Sequence, residues 1–187
     1  MKKLFLFSVC LFLSITAYSQ TPEEMKAWQD NMTPGEHHQW LASMNGTWDA
    51  TVKMWNAPDQ PPSESKAVTK NEMILNGLYQ RSSHNGNMMG MPFMGESITG
   101  YDNFKKEFIA TWIDNFGSSI MLMKGQYDKE ANALTLYGSM ADPASGKDMK
   151  VKEVITILSK DSHKFEMFMM MGDQEMKNME IVYTRKQ

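Results

Sequence analysis

The residue type with the most chemical promise in this chain is methionine. Twenty of its 187 residues are Met, and Met88, Met89, Met91 and Met94 crowd into the stretch MMGMPFM. Thioethers are soft ligands that suit Cu(I), so these four are candidate copper ligands. Met also fills irregular gaps and adaptable binding surfaces. Met54, Met73, Met121, Met123, Met140, Met176 and Met179 stand where strands would carry Leu or Val, and Met167 and Met169 share a face at period two.

The other reactive types are sparse. His37 and His38 are adjacent and cannot form an i, i+4 metal pair. His84 and His163 lie far apart in sequence, and the four histidines have no zinc spacing. His84 is the best placed of them for an axial ligand should a barrel hold a haem. Cys10 is the only cysteine, and there is neither a Gly-x-Ser-x-Gly elbow nor a glycine-rich phosphate loop. No catalytic residue, resident metal or cofactor is expected.

Carboxylates offer more. Glu153 shares a face with Met149, Val151, Ile155 and Ile157, and Asp114 follows Phe108, Ala110 and Trp112 on another. An acid on an apolar face needs a partner or a raised pKa. One reading is an interior ion pair of Arg81 with Glu153 or Asp114. The other is a polar anchor in an apolar cavity, with Trp48, Arg81, Tyr101, Trp112, Asp114 and Glu153 as the pocket candidates. Phe108, Phe165 and Tyr183 also fall at inward-compatible positions.

These side chains need a frame. Residues 1–19 read as a signal peptide: Lys2 and Lys3, an apolar run from Leu4 to Ile15, then Ala17-Tyr18-Ser19, too short to span a bilayer. Export to the periplasm or beyond is expected, with no cysteine in the mature chain. Removing Lys2 and Lys3 leaves 17 basic against 22 acidic residues, a net charge of −5. With no basic block, nucleic acid is a poor partner.

Residues 20–32 form a polar N-terminal segment, and 33–187 one domain. Thr33, Pro34 and Glu36 spell a capping box that predicts a helix ending before Gly46. Beyond it the apolar period becomes two. Runs at 48–54, 65–75, 78–84, 94–101, 106–114, 118–127, 132–140, 149–158, 163–171 and 174–184 read as strands, with Asn76-Gly77 as a hairpin turn and 85–92 as a loop. Ten short strands at near-even spacing predict an antiparallel meander, closed as a barrel or folded as a sandwich. Lys53, Lys150, Lys152, Lys164, Glu166 and Glu180 on the outer faces argue against membrane insertion.

The blocks MNGTWDATVKMW, GMPFMGESITGYDNFKKEFIATWIDN, GQYD, DPASGKDMKVKEVI and MEIVYTRK resemble an exported bacterial family of unassigned activity, domain-of-unknown-function family 1579. The resemblance runs from about Thr33 to Lys186. It implies an all-β, calycin-like (lipocalin-like) barrel of about ten strands with a short N-terminal capping α-helix, Gly46-Thr47-Trp48 opening the first strand. It implies no mechanism. The leading reading is non-enzymatic binding of a small, largely apolar molecule inside the barrel. A structural or interaction protein with a filled barrel, and Cu(I) binding through the Met clusters, are the alternatives.

Overall fold

Ten antiparallel strands close into a ring in the computed structural model, which describes residues 21–187 except 58, 144 and 173. The expected signal peptide, with Cys10, lies outside the described residues. The strands are β1 (Gly46–Met54), β2 (Ser63–Ile74), β3 (Tyr79–Met88), β4 (Met91–Asp102), β5 (Glu107–Asp114), β6 (Met121–Asp128), β7 (Ala133–Asp142), β8 (Lys147–Ser159), β9 (Ser162–Met171) and β10 (Gln174–Arg185). Each pairs with its sequence neighbours, and β1 meets β10 from Trp48↔Arg185 to Met54↔Met179. Closure leaves no sheet edge for another chain to extend.

Two helices precede the ring, α1 (Pro22–Asn31) and α2 (Glu36–Ser43). The helical segment starts earlier than its most obvious signal. The capping box in use is Thr21 with Glu24 on α1. Thr33, the expected cap, instead donates its hydroxyl to the Gln29 carbonyl, 2.7 Å. Gly35 caps α2, its N–H donating to His38 Nδ1 at 3.0 Å. The His38 side chain, at the third helical position, takes the part of a capping-box glutamate by accepting from the N-cap N–H.

α2 plugs one end of the ring. Its His38 and Leu41 are buried, as is Met44 just beyond it. A helix C-terminus leaves carbonyls without intrahelical donors, and barrel side chains supply them. Gln80 Nε2 donates to the Leu41 carbonyl (2.5 Å), and Trp48 Nε1 and Asn71 Nδ2 donate to that of Met44 (2.9 and 3.0 Å). Arg185 donates to the carbonyls of Asn45 (2.6 Å) and Ser43 (3.2 Å), its guanidinium 4.1 Å above the Trp48 ring. A cation also suits the negative end of the helix. Arg185→Gln should lower stability in urea by about 2 kcal/mol, the worth of hydrogen bonds from a charged donor. A loss below half that figure would mean the plug holds without it.

The region between β3 and β4 departs from the expected loop. Both strands run on to a two-residue turn, Met89 at φ +52 and Gly90 at φ +80, with Met88 opposite Met91. Two successive positive φ values make a primed hairpin turn, whose twist matches that of the strands. The polar run preceding it hid the strand, since it has no apolar alternation.

Candidate ligand-binding site

The inner wall can be read from the register, because directly paired residues point to the same face. At the plugged end the floor is Trp48, His163 and Tyr183 on one side and Tyr101, Phe108 and Leu134 on the other. Trp48 is 1% exposed. Its ring meets His163 edge-on at 4.3 Å, and His163 stacks on Tyr183 at 4.3 Å. Tyr101 packs under α2 against His37 at 4.1 Å and Phe108 at 5.0 Å.

Above the floor the apolar interior is not continuous. One buried cluster joins Leu41 and Met44 to Phe108, Ala110, Met123, Leu134, Leu136 and Val151, and a separate one joins Trp48, Ala50 and Tyr183. On β2 to β4 the inner face is small and polar: Thr69, Gln80, Ser82, His84, Ser97 and Thr99. Across the ring stands β8, with four strands between it and β3 by either route. It carries Glu153, only 9% exposed, in register with Leu136 and Met167.

The electrostatics follow from that burial. Burial pushes the Glu153 carboxyl up to about 7. Among the described residues it has no ion-pair partner. Burial holds His84 at about 4, with Thr69 Oγ1 at 2.9 Å from its Nδ1. His163 is also near 4, first through burial and then through Arg185 and His84. Burial raises the Tyr183 hydroxyl, and the Glu153 charge raises it further. The Nδ1 of His163 and the Oδ1 of Asn71 find no hydrogen-bond partner among the described residues.

Toward the other end the wall becomes methionine. Met54, Met179 and Met167 form one cross-strand row ending on Glu153; Met140 faces Met149, and Met169 faces Met176. A bulge at Asn178, between Lys177 and Met179, turns both Met176 and Met179 inward although they are three residues apart. These inward methionines are half-buried apart from buried Met167, as are Trp112, Phe165, Ile181, Ser82 and Ser97. Inward-pointing side chains that keep contact with solvent make this the more loosely packed end of the ring.

The six pocket candidates therefore part company. Glu153 faces the interior, and Trp112 lines its wall, 5.1 Å from the His84 ring. Asp114 sits on the rim, accepting from Trp112 Nε1 at 2.7 Å and from the Phe116 N–H at 2.8 Å. Trp48 and Tyr101 belong to the floor. Arg81 lies on the outer surface, paired with Glu72, so it makes no interior ion pair with Glu153 or Asp114. The reason is parity: Gln80 and Ser82 point inward, which turns Arg81 out. Nor does the hairpin gather its methionines. Met89 is the turn apex at 79% exposure, and Met94 is 56% exposed on the outer face.

This geometry defines a closed, ten-stranded calycin-like barrel, plugged by a helix at one end and more loosely packed at the other. The chain belongs to the family described as "Protein of unknown function (DUF1579)", whose model matches residues 33–185. Among solved structures, Rv2717c from M. tuberculosis is similar at TM-score 0.61 and 13% identity, over 83% of this chain and all of that one. The S-type phycobiliprotein lyase CPES from Guillardia theta is similar at TM-score 0.56 and 10% identity, over 81% of this chain and 93% of that one. At such identities the likeness is one of fold. No curated protein matches the sequence. Among the described residues no helix is long and apolar enough to cross a membrane, and no three His, Cys, Asp or Glu side chains group as a metal site.

Proposed function

We propose that this protein binds one small, largely apolar molecule inside its barrel, without catalysis, in the periplasm or outside the cell. The observation that carries the reading is the half-burial of inward-pointing Met54, Trp112, Met140, Met149, Phe165, Met179 and Ile181. In a filled barrel such side chains would be buried against one another. Ten strands also enclose more volume than small side chains such as Ser82, Ser97 and Thr99 fill. Unbranched, polarizable methionines at the loosely packed end suit a ligand whose shape the wall must accommodate, while Glu153 and His84 give that ligand a polar point of reference. Export is supported by the signal-like sequence of residues 1–19.

Native mass spectrometry of the protein from its own host reads both parts: a co-purifying small molecule and a chain beginning near Gln20. In vitro, the neutral fluorophore N-phenyl-1-naphthylamine should be taken up one per chain, with quenching of Trp112. Ser82→Trp with Ser97→Trp, a cross-strand inward pair, should fill the space and reduce uptake at least about tenfold, a loss near 1.4 kcal/mol. Equal uptake by the folded variant would place the fluorophore outside the barrel, and no uptake by the wild type would favour the filled-barrel alternative; either outcome overturns the proposal.

A further inference from the structure

We propose that the occupant of the barrel carries a protonated amine, and that Glu153 is the group that receives it. The inference rests on the interior-binding reading above and names the chemistry of the ligand's polar end.

The argument is one of missing partners. Glu153 is an acid on an apolar face, between Leu136 and Met167, nine-tenths buried and unpaired. A buried charge without a partner is costly, and loss of one member of a buried pair leaves that cost uncompensated. The free protein therefore has half of an ion pair. Among the described residues, the inward positions between the floor and the strand ends carry no Lys or Arg to complete it. Arg185 is committed to the carbonyls of Ser43, Asn45 and Lys160 beneath Trp48. Lys147 stands at the outer end of β8, opposite Asp142.

Among the described residues the other ionisable groups facing the interior are His84, His163 and Tyr183, with Tyr101 and Tyr127 on the floor and Asp114 and Asp142 at the rim. None is a cation at neutral pH, since burial keeps both imidazoles unprotonated. On the strands flanking Glu153, Leu136 of β7 and Met167 of β9 do not titrate. His163 Nδ1 and Asn71 Oδ1 are further unpartnered polar atoms. A ligand carboxylate would meet Glu153 with no cation to offset it. A neutral alcohol could donate one hydrogen bond but would leave the Glu153 charge without a counter-ion. An ammonium supplies the missing charge and several donors, and the rings of Trp112, Phe165 and Tyr183 add faces that attract cations.

The test compares three ligands of nearly equal shape, 2-phenylethylamine, 2-phenylethanol and 3-phenylpropionate, as competitors of N-phenyl-1-naphthylamine. At pH 8 the amine should bind at least about tenfold tighter than the alcohol, the worth of a charge-assisted bond, with the carboxylate weakest. Glu153 ionises as pH rises through about 7, while an alkylamine stays protonated to about pH 10. The amine's advantage should therefore shrink on going from pH 8 to pH 5.5. In Glu153→Gln, an isosteric change, the amine-to-alcohol ratio should fall to about one (RT ln 1 is zero). An amine no tighter than the alcohol, or a preference that survives Glu153→Gln, overturns the inference and leaves interior binding standing. Failure of all three, and of the fluorophore, to bind overturns interior binding itself.

Discussion

Glu153→Gln is expected to stabilise the ligand-free protein by about 3 kcal/mol at pH 8 and to leave its stability nearly unchanged at pH 4. In the fold, burial raises this carboxyl from its ordinary 4.5 to about 7. Below pH 4.5 it is protonated in both folded and unfolded chains and contributes no difference. Between pH 4.5 and 7 the folded chain holds a proton that the unfolded chain has released, so stability falls as pH rises. Above pH 7 the full penalty of a buried, unpaired carboxylate remains, and glutamine of the same shape removes it.

The two interior histidines tilt the profile the other way. Their folded values near 4 lie below the ordinary 6.5. Between pH 6.5 and 4 the unfolded chain takes up protons that the folded chain refuses, so each costs stability as pH falls. Across that window two histidines oppose one glutamate. Wild type should lose about 1.4 kcal/mol per unit of acidification, the worth of one proton, and Glu153→Gln about twice that. Burial lowers His38 as well, which acts in the same direction. Urea midpoints at unit steps from pH 4 to 8 measure both slopes. A variant less stable than wild type at pH 8 would mean that Glu153 has a partner, and would undercut its role as receptor of an amine.

How much of this was legible beforehand depended on local alternation. Along β8 the period of two is clear, and it placed Glu153 on the face of Val151 and Ile155 before any fold was known. Phe108, Ala110, Trp112 and Asp114 on β5 were readable for the same reason. Along β3 the sequence Gln80-Arg81-Ser82-Ser83-His84 is polar on both faces, so no alternation tells that Ser82 points inward and the pocket candidate Arg81 outward. On β10 the bulge at Asn178 breaks the period, hiding that Met176 and Met179 point the same way. That His84 on β3 and Glu153 on β8 occupy opposite walls is a property of ring closure, which no local pattern carries. The helix suffered from competition: two Thr-x-x-Glu signals lie twelve residues apart, and only the first is used.

Gly125→Ala is expected to cost more than about 4 kcal/mol, at the far end of single-substitution effects. A Cβ at this position would lie 1.8 Å from the Thr135 carbonyl oxygen and 2.9 Å from the Leu136 Cα. Both are backbone atoms of β7, so no side-chain rotation relieves the overlap and one strand must move. Glycine inside a strand marks such a close approach or a bend in a barrel wall. Gly35, with nothing within 4 Å of its Cβ position and a negative φ, is the comparison. As an N-cap, its change to Ala should cost a few tenths of a kcal/mol, up to about 0.5. The damage at 125 would not stay local. Gly125 belongs to the row Phe108–Gly125–Leu136–Glu153–Met167–Met179–Met54, which also places the acid and three of the interior methionines. β6 joins β5 through only five residue pairs, so the ring has little reserve where the strain would fall. Thermal unfolding of Gly125→Ala and Gly35→Ala decides it: a Gly125 variant within about 1 kcal/mol of wild type, a common cost for a point mutation, would show that β7 yields freely and that the row is not what holds Glu153 in position.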